Sequence, residues 1–302
     1  MITSFDELLG VVKNQPKKTI AVAMAEEEDA LLAISHAYEQ GIADAVLVGD
    51  KKKIKELCKK NDIDVNKFDI IDAGSEQQAV VRAIQLVREH LADTLMKGKC
   101  STATLLRAVL DREHGVRSGK LLSHAALFEL PTYPKFLFMS DGGMNIAPDV
   151  EAKISIIENV VGAAKLLGIE KPKVALIAAL EKVNYQAMPC TVDAAVITQM
   201  AARGQLGDAI IDGPLALDNA VSKRSCEIKG ITSPVGGDAD ILIMPAIESG
   251  NVFYKALNYL GQAKCAGIIL GAKVPIILTS RSDDKETKFL SIAFGISTSI
   301  RL

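Results

Sequence analysis

The stretch Thr19-Ile-Ala-Val-Ala-Met-Ala-Glu-Glu-Glu-Asp-Ala-Leu-Leu-Ala-Ile-Ser-His-Ala-Tyr-Glu-Gln-Gly-Ile-Ala-Asp-Ala-Val-Leu-Val48 decides the fold class. An apolar run, Thr19 to Met24, precedes a segment from Glu27 to Gln40 in which Leu31, Ile34 and Tyr38 recur at helical spacing. A second β-branched run, Ala45 to Val48, stops at Gly49. Strand, helix and strand within about thirty residues form a βαβ unit, whose crossover requires a parallel pair. The alternation continues outward: a basic surface helix over 51–61, a strand over 69–71, a helix over 76–90 carrying Val80, Ile84 and Val87, a strand over 93–96 and a helix over 101–110. The chain is therefore α/β.

From Leu121 to Ser140 the winding is interrupted. Two apolar runs, 122–130 and 135–140, flank Pro-Thr-Tyr-Pro, a pattern that suits neighbouring strands better than a crossover helix. A long helix after Asp149 and strands at 174–178, 209–211, 241–244 and 268–270 then make a second α/β series. The expected organisation is two domains, 1–150 and 151–274, with a strand, a polar turn and an amphipathic helix over 275–302 completing the first.

With 302 residues, 49% hydrophobic, the chain can build sizeable cores. Its 35 basic and 37 acidic side chains leave a net charge of -2, so no global field attracts nucleic acid or an anionic membrane. No apolar run is long enough for a bilayer, and 4% aromatics with no Trp offer few platforms for single-stranded nucleic acid. Five scattered cysteines without CxxC, and an opening without a basic and apolar leader, point to a reducing cytoplasm. The expected partner is small.

Common α/β signatures fail. Gly115-Val-Arg-Ser-Gly119-Lys120-Leu121 has one residue too few between its glycines for a phosphate loop, and Leu follows the Lys where a hydroxyl is needed. No GxGxxG follows the first strand, no GxSxG is present, and His36, His90, His114 and His124 lie at no metal-ligand spacing. What remains is a set of loops at strand ends, where open α/β sheets bind ligands. In Leu278-Thr-Ser280-Arg281-Ser-Asp283-Asp284, Ser280 or Asp283 reads either as an ordinary cap of the last helix or as part of an anion site. Ser140-Asp-Gly-Gly-Met-Asn145-Ile-Ala-Pro-Asp149 permits close backbone approach, and Lys97-Gly-Lys-Cys-Ser-Thr102 puts cations and hydroxyls at a helix start. Two more apolar stretches, around Asp218 and around Gly250, Asn251 and Tyr254, join strands to helices; each could line a cleft, and read singly each is more often structural, with Tyr254 in a core and Asp218 a turn former.

Together and in this order these stretches resemble the phosphate acyltransferases, the family of phosphate acetyltransferase and phosphate butyryltransferase. The likeness covers nearly the whole chain. It is carried by Ile-Asp-Gly-Pro-Leu-Ala-Leu-Asp-Asn-Ala (211–220), Gly-Asp-Ala-Asp-Ile-Leu-Ile-Met-Pro (237–245), Gly-Asn-Val-Phe-Tyr-Lys-Ala-Leu (250–257) and Leu-Thr-Ser-Arg-Ser-Asp (278–283). His-Gly-Val-Arg-Ser-Gly-Lys-Leu-Leu-Ser-His (114–124) looks like the butyryl branch.

The resemblance implies a two-domain fold like that of the isocitrate and isopropylmalate dehydrogenases, an interdomain active-site cleft, and a homodimer or larger assembly. It implies reversible acyl transfer between CoA and phosphate, butyryl-CoA plus phosphate giving butyryl phosphate plus CoA. The thioester and phosphate are substrates, and neither metal nor cofactor is required. By the same resemblance Ser280, Arg281 and Asp283 are catalytic, with Asp284 the alternative base. Arg107, in Ser-Thr-Ala-x-x-x-Arg, Arg117, Asn145, Asp218, Gly250, Asn251 and Tyr254 are the candidate substrate contacts. Direct thiolate attack in a ternary complex is expected, with a ping-pong route through Cys100 as the alternative. An acetyl or branched-chain enzyme, a non-catalytic acyl-CoA-binding relative and a dehydrogenase on the same fold are the competing readings.

Overall fold

The computed structural model describes residues 1–280 and 282–299, and the chain divides into two compact units. The first comprises Phe5–Lys120 with Ala266–Leu302, and the second Leu121–Cys265 with Met1–Ser4.

The first unit runs α1 (Phe5–Lys13), β1 (Lys18–Ala23), α2 (Glu28–Glu39), β2 (Ala43–Gly49), α3 (Lys51–Lys60), β3 (Asp69–Asp72), α4 (Glu76–Arg88), β4 (Thr94–Lys97) and α5 (Thr102–Val109). The second contains β5 (Ser123–Glu129), β6 (Leu137–Ser140), α6 (Val150–Leu166), β7 (Lys173–Ile177), α7 (Cys190–Ala202), β8 (Ile210–Leu215), α8 (Leu217–Val221), α9 (Lys223–Lys229), β9 (Ile241–Ile243) and α10 (Ile247–Tyr259). After β10 (Lys264–Leu270), β11 (Ile276–Ile277) and α11 (Lys285–Thr298) complete the first unit.

In the first unit the strand order is β3-β2-β1-β4-β11-β10, parallel throughout except for β10 against β11. Successive strands β1, β2 and β3 build outward in one direction, and β4 is then laid on the other side of β1. The order therefore reverses between β1 and β4, the topological switch point at whose carboxyl ends such sheets bind ligands. Ile20, Val22, Leu47, Leu95, Met96 and Ile276 are fully buried along these strands, as β-branched runs covered on both faces should be.

The second unit orders its strands β5-β6-β9-β7-β8. The two runs around Pro-Thr-Tyr-Pro form the antiparallel pair β5–β6, and β6, β9, β7 and β8 are parallel. Its core gathers Phe128, Leu137, Met139, Leu215, Val235, Leu242, Met244 and Tyr254.

The units divide after Lys120 and Cys265, whereas the sequence reading places the divisions after 150 and 274. The reason is pairing at long range: Phe138, Met139 and Ser140 lie in register with Ile241, Leu242 and Ile243, so β6 belongs with strands a hundred residues downstream. Two local expectations also change. The last helix is not amphipathic, being buried without a break from Thr287 to Ile296 because α1, α2 and β11 all pack on it. Gly295 admits that contact, since a Cβ there would meet Ile277 Cγ1 at 2.6 Å. Gly213 and Pro214, expected beyond the strand at 209–211, lie inside β8, which tolerates proline because it stands at the edge of the unit's order beside β7.

No helix among the described residues is long and apolar enough to cross a membrane. Among those residues, no group of three or more His, Cys, Asp and Glu is placed to hold a metal ion, and none of the five cysteines is joined in a disulfide.

Candidate active site

In the first unit the carboxyl ends of β1 and β4 are laced together. Gly98 N–H donates to Ala23 O at 2.9 Å and Lys99 N–H to Met24 O at 2.7 Å, which ties the exit of β4 to that of β1. Gly98 is required there, because a Cβ would stand 2.1 Å from Met24 O. Beside it Lys97 is buried, its Nζ donating to Gly98 O at 3.0 Å.

Ser280 and Asp283 meet in the turn that leaves β11. Asp283 is 4% exposed, and its Oδ2 accepts from Ser280 N–H at 2.7 Å. Its Oδ1 is buried with no hydrogen-bond partner. The Ser280 side chain is exposed, its Oγ 3.0 Å from Ser282 Oγ. Arg281 lies outside the described residues. The cap of α11 is neither Ser280 nor Asp283 but Asp284, whose Oδ1 accepts from Thr287 N–H at 2.8 Å. Capping thus occupies one of the two candidate bases and leaves the other with a free oxygen.

Sequence reasoning missed the residue beneath this turn. Lys288 is 1% exposed, and its Nζ donates to Asp283 O at 2.5 Å and to Ser280 O at 3.4 Å while pairing with Glu27 Oε1 at 3.3 Å. In Lys-Glu-Thr-Lys at a helix start, a lysine reads as solvated surface, and only the packing of α11 reveals otherwise. Glu26, next to Glu27, is also buried, and its Oε2 has no partner; a Cβ on Gly49 would stand 2.1 Å from it.

In the second unit Asn145, Gly250, Asn251 and Tyr254 come together around the loop that leaves β6. Its centre is Asp141, 2% exposed, which the sequence reading passed over. Asp141 accepts from Gly143 N–H at 2.7 Å, Met144 N–H at 2.9 Å, His124 N–H at 3.1 Å and Asn145 Nδ2 at 2.6 Å. Asn145 Nδ2 also donates to Leu122 O at 2.9 Å. Gly250 and Asn251 are not in a loop but inside α10. A Cβ on Gly250 would lie 2.4 Å from Asp141 O, so the glycine lets a helix press on the loop backbone, and Asn251 Nδ2 donates to Gly142 O at 3.3 Å. Tyr254 is buried against His124 and Phe128, with ring centroids 5.9 and 5.7 Å away.

Asp218, Arg107 and Arg117 share no hydrogen bond with these clusters among the described residues, whereas Cys100 Sγ lies 3.7 Å from Ala23 O at the β1–β4 junction. Asp218 is part of an ion-pair group in which Lys229 reaches Asp218 at 2.9 Å and Glu181 at 3.0 Å; the Lys229 hydrogen bond holds each carboxyl below its usual range. Arg107 is exposed in the last turn of α5, and Arg117 is exposed where 117 bridges Ala272. Cys100 is fully buried, and burial pushes its thiol up to about 11, the nearby Lys97 offsetting only part of that. Such a thiol is uncharged at neutral pH and a poor nucleophile.

The turn after β11 therefore offers a hydroxyl and, three residues on, a carboxylate oxygen able to take a proton, with the ammonium of Lys288 buried beneath it. That set suits deprotonation of a weak acid and transfer of an electrophilic group. Compared with known proteins, the chain matches the family model described as "Phosphate acetyl/butaryl transferase" over residues 4–79 and 75–296. It is 46% identical to the phosphate butyryltransferase of Clostridium acetobutylicum over 295 residues, 98% of each chain. Identity to the phosphate acetyltransferase of Thermotoga maritima is 42%, over 96% of this chain and 98% of that one. Among solved structures, a branched-chain phosphotransacylase from Enterococcus faecalis V583 superposes with a TM-score of 0.83 at 34% identity, covering 93% of this chain and 99% of that chain.

Proposed function

Since the chain belongs to the phosphate acetyl/butyryl transferase family, we propose that it catalyses reversible transfer of a butyryl group between CoA and inorganic phosphate, in a ternary complex. The observation that carries the mechanism is the half-satisfied Asp283 carboxylate beside Ser280. In the direction of thioester formation, Asp283 Oδ1 takes the proton of the CoA thiol and Ser280 Oγ donates a hydrogen bond to the sulfur. The thiolate attacks the acyl phosphate carbonyl, a C–S bond forms, the bond from the acyl carbon to the bridging oxygen breaks, and phosphate leaves carrying that oxygen. A free thiol ionises near pH 8.5, so a placed base contributes roughly 10²- to 10⁴-fold at neutral pH. Arg281 is assigned to the phosphate and the oxyanion, a donor worth about 10²- to 10³-fold. The buried, high-pKa thiol of Cys100 favours direct transfer over an acyl-enzyme.

Arg107 and Arg117 are proposed to meet the phosphates of CoA or the inorganic phosphate. Asn145, Gly250, Asn251 and Tyr254 contribute through the loop they shape, and Asp218 completes the proposed substrate contacts. The proposal includes the arrangement of the isocitrate and isopropylmalate dehydrogenases, with an active-site cleft drawing on both units. It also includes a cytoplasmic homodimer or larger assembly with no resident cofactor and no nucleic-acid partner.

The identity to the C. acetobutylicum enzyme favours the four-carbon acyl group, while the E. faecalis structure favours a branched one as the second reading. One methylene in an apolar pocket is worth about 10- to 200-fold. The experiment is phosphate-dependent release of CoA thiol from acetyl-, propionyl-, butyryl- and isobutyryl-CoA, with a control lacking phosphate. A maximum at butyryl supports the proposal. A maximum at acetyl or isobutyryl transfers it to those activities, and release without phosphate overturns it.

A further inference from the structure

We infer that Lys288, held by Glu27, is a positioning residue that sets the Ser280–Asp283 turn for acyl transfer; the inference rests on the reaction proposed above. An ammonium at 1% exposure is costly to bury, and replacing a buried ion pair by apolar side chains of similar volume is often neutral or stabilising. Stability alone gives no reason for lysine at this place.

What lysine does, and an apolar residue cannot, is donate. Its Nζ bonds Asp283 O at 2.5 Å and Ser280 O at 3.4 Å, the two carbonyls that bracket the turn. The ammonium meets the backbone of Asp283 and leaves the side-chain carboxylate to Ser280 N–H on one oxygen and to no donor on the other. It thereby orients the base without quenching it. The counter-charge is equally specific. Glu27 occupies the N-cap position of α2 but makes no capping hydrogen bond, and its carboxylate is turned to Lys288 instead. Through this pair the exit of β1 is fastened to the exit of β11, on either side of β4. The other buried charged side chains at the exits of β1 and β4 are Glu26, next to Glu27, and Lys97, whose Nζ is taken up by Gly98 O.

The test uses the full chain and compares wild type with Lys288→Met, the double variant Glu27→Gln/Lys288→Met, and Lys288→Met in an Asp283→Asn background. Turnover, KM and thermal midpoint are read for phosphate-dependent release of CoA thiol from butyryl-CoA. Lys288→Met should lower kcat by about 10- to 100-fold, as misplacement of a reacting group by about an ångström does, with KM for thioester and phosphate within about 3-fold. The double variant, with no charge left uncompensated, should recover the thermal midpoint lost in Lys288→Met without recovering kcat. In the Asp283→Asn background Lys288→Met should cost nothing more. A folded Lys288→Met with kcat within about 3-fold of wild type overturns the inference, as does a double variant that regains stability and turnover together. So do independent losses in the Asp283 background, or a double variant that fails to fold, which would make the pair a folding element. An inactive wild type would instead sink the acyl-transfer reading itself, before any variant is compared.

Discussion

Two buried aspartates, Asp141 in the loop after β6 and Asp283 in the turn after β11, are almost equally hidden from solvent, yet their carboxylates are in opposite states. Asp141 receives four hydrogen bonds, three from backbone N–H groups and one from Asn145. Asp283 receives one, and its second oxygen has none. A buried carboxylate with all its acceptor sites filled is an anchor for backbone. One with a vacant buried oxygen costs stability and persists only where the surrounding structure holds it, as the Lys288–Glu27 pair holds the backbone around Asp283. On the mechanism proposed above, that difference, more than burial or residue type, assigns Asp141 to structure and Asp283 to chemistry.

The sharpest way to break this comparison is to make the same substitution in both. Asp283→Asn should lower turnover by about 10²- to 10⁴-fold while leaving thermal stability near wild type, because the amide keeps one acceptor for Ser280 N–H. Asp141→Asn should do the reverse: hydrogen bonds to a charged acceptor are worth about 1.5–3 kcal/mol each, and the loss of even one should be visible as a lower melting midpoint. Next in size, Ser280→Ala should slow the reaction by roughly 10²-fold with no change in unfolding, the scale of one transition-state donor. Gly250→Ala pushes a methyl toward Asp141 O and should cost about 1–3 kcal/mol by overpacking, read in denaturant unfolding. Smaller still, Asp284→Ala removes the cap of α11 and should cost about 1 kcal/mol with activity retained, which separates the two adjacent carboxylates that sequence left open.

Cys100 supplies a pH test of the direct-transfer route. Burial raises its thiol from 9.0 to about 11 in the fold, so thiolate is disfavoured in the native state relative to the unfolded chain. The sign follows: this group takes nothing from stability at neutral pH and destabilises the fold only as pH rises past about 9. Cys100→Ala should keep turnover at pH 7, measured by thiol release, and an inactive variant would revive the acyl-enzyme.

Much of this was legible in the sequence where local pattern and structure agree. The run from Thr19 to Val48 became β1, α2 and β2 with bounds shifted by only a residue or two, and Asp149 caps α6 where the pattern placed it. The Ser-Arg-Ser-Asp stretch marked the turn that carries the vacant carboxylate oxygen. What stayed hidden depends on long-range contact. The partnership of β6 with β9 moved 121–150 into the second unit, and no periodicity records it. Gly250 and Asn251 have the composition of a turn, and only the approach of α10 to Asp141 explains a glycine within a helix. Lys288 and Glu27 look like ordinary surface charge, because burial of a lysine is decided by what packs over it.

The measurement that reaches the central claim most directly is the pH dependence of thioester formation from butyryl phosphate and CoA, for wild type and Asp283→Asn side by side. If Asp283 takes the thiol proton, the variant must rely on thiolate already present in solution. Its deficit should be about 10²- to 10⁴-fold at pH 7 and should shrink roughly tenfold for each pH unit as CoA ionises toward pH 8.5. A variant whose rate matches wild type at pH 7, or whose deficit is the same at every pH, would contradict it.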